Sequence, residues 1–360
     1  MNGIHERQPG EEHALLGLAE VADLAGVARN VVSNWRTRDP RFPRPAAELA
    51  SGPVFRAGQI DRYLARRRRN MAVVVSMINL KGGVGKTTTT VALAEILAAD
   101  LGKRVLVIDL DPQTNATTML LGEKAWSQLN AQGRTLAALF KDALRPDGAD
   151  PAFDLEKTLQ RGVSPVSAVK RLDLLPSSLD MIEIQDRLAT VPAGRLFTDR
   201  PVDLLHKATR RLLPDYDYVI IDCPPNLGII TLNGLRMSHG YVIPTKPDVL
   251  STYGIPQILT RVEGFAEGLA ENDIVPLGIV VNMYRAGTTI HETTLRALRA
   301  GAKSGKLPPL FKSSIPVGNA VAGAAEFAKM STLRQRWGYQ GHFDQLKALA
   351  VEFDARAQAL

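Results

Sequence analysis

One cysteine, Cys223, stands in 360 residues. An internal disulfide needs a second one and a thiolate metal site needs several, so both are excluded, which fits a cytoplasmic protein. No apolar run approaches the roughly 20 residues that span a bilayer. Residues 1–12 are polar and mixed in charge, unlike a secretory signal. There is no internal repeat and no low-complexity tract. Lysine is absent from residues 1–70, where twelve arginines face eight carboxylates, an excess of four. The whole chain carries 44 Lys and Arg against 37 Asp and Glu, formally +7, so most of the excess sits early. A basic balance points to a polyanionic partner, nucleic acid or an anionic surface.

What is present organises around Leu80-Lys81-Gly82-Gly83-Val84-Gly85-Lys86-Thr87-Thr88. A compact apolar run, Val73 to Ile78, precedes it, and a helical pattern, Thr89 to Ala99, follows. Strand, glycine loop and helix N-terminus make a phosphate-binding device. The glycines let backbone N–H groups converge on the phosphates, and the helix dipole adds positive potential. In such a loop Lys86 reaches the β- and γ-phosphates of ATP and the Thr87 hydroxyl ligates Mg²⁺.

From Val73 onward strands alternate with helices, the signature of an α/β, doubly wound, mostly parallel sheet of the P-loop NTPase kind. The expected strands are Val73–Ile78, Arg104–Asp111, Tyr216–Asp222, Gly240–Thr245, Pro276–Asn282 and Leu310–Ile315. Phe343 to Ala357 reads as a closing helix. Residues 122–200 are punctuated by Gly, Pro, Arg and Asp, and only loosely packed helices are assigned there. Two apolar strands end in carboxylates. Asp222 reads as a Walker B residue that holds Mg²⁺ through water. Ligands of such sheets lie beyond the strands' carboxyl ends, where Asp109, Asp111 and Asp222 all fall.

Residues 1–70 read as a separate small domain, and residues 71–360 as the P-loop domain. Leu18–Ala25 and Ala28–Arg36 have helical spacing, with Gly26 at the turn between them. Ala22, Gly26 and Val32 carry the spacing of a helix-turn-helix. Arg29, Asn30, Ser33, Asn34 and Arg36 fall on the exposed face of the second helix, and these are groove-reading and phosphate-binding types. Pro40–Pro45 is a loop, Gly52–Phe55 a small wing, and Gln59–Arg69 a closing helix. The unit resembles the winged helix-turn-helix of MerR-like and excisionase-like DNA binders. A small helical adaptor with solvated charges is the competing reading.

The loop departs from the general G-x-x-x-x-G-K-[ST] pattern, because Leu80 replaces the first glycine and Lys81 follows it. This form resembles the deviant Walker A box of the ParA/MinD ATPases. Val107-Ile108-Asp109-Leu110-Asp111-Pro112-Gln113 resembles the Walker A′ box of the ParA family. The resemblance covers Val73 to about Ile315. It implies that Asp109 lies near the metal, that Asp111 orients or deprotonates the attacking water, and that Gln113 borders the γ-phosphate. Lys81 would be the signature lysine that crosses a two-fold interface, so that ATP binds a sandwich homodimer together. Asn282 resembles the base-recognising position, although an Asn at a strand end also forms turns. Ser314-Ile315-Pro316-Val317-Gly318-Asn319 resembles the loop over the adenine, where many relatives read I-P-R-N.

The resemblance further implies a nucleoid-associated ATPase that binds DNA non-specifically as a dimer. Candidate residues are Arg285, Arg296, Arg299, Lys303 and Lys306. It implies stimulation by a ParB-like centromere-binding partner, and operator autoregulation through the N-terminal module. Two other readings stay open: a relative that positions another cargo, and a repressor that uses ATP as a ligand. Membrane cycling is disfavoured, since Ala350–Leu360 has few large apolar groups and one Arg. Lack of paired cysteines and of a tyrosine-rich tail sets aside two other lineages that share the deviant box.

Overall fold

A computed structural model describes residues 14–25, 29–39, 42–69, 72–145, 150–190, 201–269, 274–318, 323–324, 326–339 and 341–360. The chain divides into two compact units, Met1–Met71 and Ala72–Leu360.

In the first unit three short strands, β1 (Leu15–Gly17), β2 (Ala47–Leu49) and β3 (Gly52–Arg56), pair antiparallel in the order β1-β3-β2. Helices Leu18–Ala25, Arg29–Arg38 and Ala57–Arg69 accompany them. Val21, Ala22, Val32, Phe42, Phe55, Ile60, Tyr63 and Leu64 form the core. Phe42 packs edge-on against Phe55 and Tyr63, at 5.2 and 4.9 Å between ring centres. Ala22 and Val32 of the expected helix-turn-helix spacing are both buried, while Gly26 lies outside the described residues. The sequence reading missed β1, whose three residues give no periodicity to detect.

The second unit is built on seven parallel strands: β4 (Val73–Met77), β5 (Val105–Asp109), β6 (Leu172–Leu175), β7 (Tyr218–Asp222), β8 (Gly240–Thr245), β9 (Val275–Tyr284) and β10 (Ile315–Pro316). Their order is β10-β9-β8-β4-β7-β5-β6. Successive side chains of a strand point to opposite faces. Accordingly Val75, Met77, Val107 and Ile220 enter one core, with helices Lys86–Ala99 and His342–Ala357, and Val74, Ile108, Val219 and Ile221 enter the other. A sheet covered on both faces needs strands that are mostly apolar, and the central ones are, apart from Ser76 and the carboxylates at the strand ends.

Two expectations are corrected. Residues 122–200 hold more than helices, because Leu172–Leu175 is the edge strand that pairs with β5 from Val105↔Leu172 to Ile108↔Leu175. A four-residue strand carrying Asp173 offers too short a pattern to recognise. The last strand is not Leu310–Ile315. Only Ile315–Pro316 pairs with β9, and Leu310 makes a single bridge to Ile279. Arg356 takes over the ladder's work between them, donating to Leu277 O and Leu310 O at 2.7 Å each.

Helix Lys86–Ala99 is buried almost all round, which suits a central helix. Glu95 sits in its middle with no exposure and meets the equally buried Arg336 at 3.1 Å. Ser164 Oγ and Trp337 Nε1 donate to the same carboxylate at 2.7 and 2.8 Å. The second arm of Arg336 donates to Met119 O at 2.9 Å. Removing one partner of such a pair strands a buried charge. Arg336→Ala is therefore expected to cost about 3–5 kcal/mol of stability, read as a lowered urea midpoint of the second unit.

Candidate nucleotide site

The register of the central strands assembles the site. Met77 pairs with Asp222 and Asp109 pairs with Asp222, so β4, β7 and β5 end level with one another. The phosphate loop leaves β4 at that edge. Gly82 and Gly83 are exposed, and Gly83 and Gly85 adopt φ of 68° and 88°, where a side chain is strained. Gly85 is also closely approached: a Cβ there would lie 2.6 Å from Asn282 Nδ2. The Lys86 ammonium is buried and donates to Lys81 O at 3.2 Å. Burial lowers its pKa, and Asp222 and Asp111 oppose that shift.

Both strand-end carboxylates have zero exposure. Asp109 Oδ2 accepts from Thr117 N at 2.9 Å and Thr117 Oγ1 at 2.7 Å, and Oδ1 accepts from Asp111 N at 3.1 Å. Burial, and then the charge of Asp222, raise its pKa well above the carboxylate range. Asp222 Oδ1 accepts from Thr90 Oγ1 at 3.2 Å, whereas Oδ2 is buried with no hydrogen-bond partner. Burial raises the Asp222 pKa to about 7, opposed by the neighbouring Thr87 hydroxyl. Asp111 stands on the loop beyond β5. Its Oδ1 accepts from Gln113 N at 3.0 Å, and burial raises its pKa against the pull of that N–H and of Lys86. The exposed Gln113 follows, then Thr114 at φ 58°, a left-handed position costly for a non-glycine residue.

An orphaned carboxylate oxygen beside a hydroxyl and a phosphate loop is a donor set that fits a hard divalent cation. Asp222 and Thr87 are the residues that could hold such a cation, and Asp109 is braced beside them by Thr117.

Other candidates are placed less directly. Asn282 does not offer its amide nitrogen to a base. Nδ2 donates to Val84 O at 2.9 Å and Thr89 Oγ1 at 3.0 Å, so the residue braces the phosphate loop, while its buried Oδ1 has no partner. Ile315 lies opposite Asn282 on β10, which brings Pro316 to the same edge; Asn319 lies outside the described residues. Lys81 Nζ meets Asp248 Oδ1 of its own chain at 3.4 Å, a partner that sequence reasoning did not single out. Thr88 is half-buried on the first turn of the loop's helix.

Arg285, Arg296, Arg299, Lys303 and Lys306 are all exposed. The buried stripe of helix Thr289–Lys303 is Thr294, Leu295 and Leu298, which turns Arg296 and Arg299 outward. In the first unit Arg29 is exposed and Ser33 half-buried, while Arg36 is spoken for by Glu48 of β2 at 3.0 Å. The side chains of Asn30 and Asn34 lie outside the described residues. Among the described residues no helix is long and apolar enough to cross a membrane.

The parallel sheet, the loop at the end of β4 and the carboxylates beside it define a P-loop nucleotide-binding protein. Residues 72–274 match the model of a family described as AAA domain. The chromosome-partitioning ATPase Soj of Thermus thermophilus is 33% identical over 79% of this chain and 96% of its own length. The cell division protein PomZ of Myxococcus xanthus is 29% identical over 81% of this chain and 80% of its own. A crystal structure of cobyrinic acid a,c-diamide synthase from Mycobacterium smegmatis, with bound ATP analog and magnesium, superposes with a TM-score of 0.57 at 26% identity, over 78% of this chain and 93% of that one. The chain belongs to the ParA family of P-loop ATPases.

A carboxyl whose pKa is raised by folding holds its proton more tightly in the folded state than in the unfolded one. Stability therefore falls as pH rises from the unfolded pKa toward the folded value, and the full penalty stands above it. For Asp222 that window runs from about 4 to about 7. Asp222→Asn is expected to raise the melting temperature of the nucleotide-free protein at pH 8, with the gain shrinking as pH falls toward 5. Thermal melts across this range check it, and a gain independent of pH would contradict the assigned cause.

Proposed function

We propose that this protein is an ATP-dependent DNA partition ATPase. The observation that carries the reading is the buried orphan oxygen of Asp222 facing a phosphate loop that bears two lysines, Lys81 and Lys86. The chromosome-partitioning role of Soj and the ATP analog and magnesium bound by the cobyrinic acid diamide synthase support it.

On this reading Gly82, Gly83, Val84, Gly85, Lys86 and Thr88 cradle the ATP phosphates, and Thr87 and Asp222 hold Mg²⁺. A Mg²⁺ held there would supply neutralisation of the phosphate charge. Lys86, already buried, needs no reorganisation to face the developing charge. Asp111 orients the attacking water. One of its oxygens is fixed by the Gln113 N–H, which leaves Oδ2 to take the water's proton, and its raised pKa suits that proton. Asn282 acts on the base only through its free Oδ1, an acceptor matched to an exocyclic amine, with Pro316 alongside. Lys81 reaches the partner's phosphates in a two-fold dimer.

The ATP-bound dimer coats nucleoid DNA through Arg285, Arg296, Arg299, Lys303 and Lys306. A ParB-like centromere-bound partner stimulates hydrolysis and releases it. The first unit reads the operator with Arg29, Asn30, Ser33 and Asn34, and Arg36 contributes once it leaves Glu48. The similarity to PomZ favours a second reading, in which the same cycle positions another cargo.

Full-length protein is expected to bind arbitrary duplex DNA only with ATP and to weaken steeply with salt. Each phosphate contact adds about 0.9 to the slope of log K against log salt. Arg296→Glu combined with Arg299→Glu should lower that slope by roughly 2; an unchanged slope removes those residues from the DNA surface. Lys86→Ala should lose ATP binding. Asp111→Ala should bind ATP and hydrolyse it at least 100-fold more slowly, on the order of what a lost general base costs.

A further inference from the structure

The residues that leave β10 stand at the edge of the sheet where ligands of parallel sheets bind. Ile315 is buried opposite Asn282, Val317 is exposed and donates its N–H to Tyr284 O at 3.2 Å, and Gly318 is half-buried. Asn282 in turn holds the phosphate loop at Val84. The carboxylates lie on the other side of that loop, at the ends of β7 and β5. A nucleotide whose phosphates face them therefore extends its base toward β9 and β10.

Gly318 is not a glycine for the sake of its backbone, since its φ lies outside the left-handed region. Space is the reason. A Cβ there would fall against Cε1 of His342 and lie 2.6 Å from its Nδ1. The imidazole thus occupies the volume that a side chain at 318 would take. His342 is itself held in place. It opens helix His342–Ala357, and the next two residues pin that turn. Phe343 is buried in the core with Arg334 over its ring, and both arms of Arg334 donate to Asp344, at 2.6 and 3.1 Å. The Nδ1 of His342 is buried and has no hydrogen-bond partner. A buried nitrogen left unpaired costs stability, so what the ring supplies under the loop is volume, not a bond.

We propose that His342 is a positioning residue for nucleotide binding: its imidazole is the seat on which Ile315–Gly318 rests, and it sets how closely that loop approaches the base. This rests on the proposed function, in which Pro316 lies beside the base, and adds the residue that fixes the loop's depth. His342 acts through the loop and not on the phosphates. It changes affinity and leaves turnover at saturating ATP alone, as uniform binding does.

Calorimetric titration of the full chain with Mg²⁺ and the ATP analogue AMP-PNP, beside steady-state turnover of ATP, tests this. His342→Ala should weaken binding about 10-fold, in the range that packing contacts of a pocket command, with kcat unchanged. His342→Phe keeps the volume and discards both nitrogens, and should bind within about 3-fold of wild type. His342→Asn keeps a polar atom near the place of Nδ1 and loses the volume, and should weaken binding as Ala does. Gly318→Ala should weaken binding in the wild-type background, where the ring blocks the methyl group, and cost nothing further in His342→Ala, where there is room. That non-additivity marks direct contact. If His342→Ala lowers the melting temperature of the nucleotide-free protein, Gly318→Ala alone decides, because it removes nothing from the core. Wild-type affinity in Gly318→Ala or His342→Ala, additive losses in the double variant, or binding kept by Asn and lost by Phe would each overturn the proposal and leave the ATPase reading standing. If wild type does not bind AMP-PNP, the nucleotide reading itself fails and the proposal goes with it.

Discussion

Everything in the second unit answers to one constraint: parallel register drives two carboxylates, Asp109 and Asp222, side by side out of water at the ends of β5 and β7. Burial raises both pKa values; the charge of Asp222 raises that of Asp109 further, and the charge of Asp111 raises that of Asp222. One buried ammonium, Lys86, stands against Asp109, Asp111 and Asp222, and its own pKa is depressed. The site is thus short of positive charge. An environment that penalises its own acids is one in which a bound dication has most to gain, and the fold keeps that penalty because strand order leaves the carboxylates nowhere else to go.

Holding such a site open needs support from several directions, and hydrogen bonds together with one buried ion pair close a circuit. Thr90 on the loop's helix touches Asp222. One turn further along that helix, Glu95 meets Arg336. Arg336 also holds Met119 O, at the end of the helix Asn115–Leu121. The same helix, through Thr117, fixes Asp109 beside Asp222. Asn282 adds a fourth strut by tying β9 to Val84 and Thr89. The buried pair Glu95–Arg336 thus links the helices that follow the phosphate loop and the Asp109–Gln113 loop. Buried ion pairs are weak as sources of stability but strong as constraints on geometry, and this one serves the second purpose.

The parts of the site that were legible in the sequence are those that one strand or one loop supplies whole. The glycine loop needs φ > 0 at Gly83 and Gly85, and the apolar runs of β4, β5 and β7 end in the acids themselves, so pattern and chemistry coincide. The parts that were not legible are pairings across the chain. Asp248 lies 167 residues from Lys81 and reads locally as a helix cap, which it also is. Asn282 lies 198 residues from Val84, and its strand-end position says nothing of where its amide is committed. Glu95 in a helix of alanines and leucines looks like a surface residue until Arg336 is seen. β6 and β10 escaped for a different reason: four residues and two residues carry no period, and their strand character comes from a neighbour's ladder. In the first unit the helix spacing of Ala22 and Val32 was readable, but the pairing of Arg36 with Glu48 depends on a strand too short to predict.

Lys81 is where these separate demands meet. Its backbone N–H is held by Asn79 Oδ1, its carbonyl accepts from Lys86, and its ammonium lies on Asp248. The first two contacts fix the main chain of the loop, so only the flexible side chain is free to change partners. Lysine suits that division: a point charge on a long stem moves between anions without a matching geometry, which a guanidinium would require. The competing anions differ in kind. Asp248 is a single charge, partly hydrated, with Ser251 already using both of its oxygens. A triphosphate concentrates several charges near a loop rich in N–H donors. Asp248 is joined directly in sequence to the exposed residues Val249, Leu250 and Tyr253.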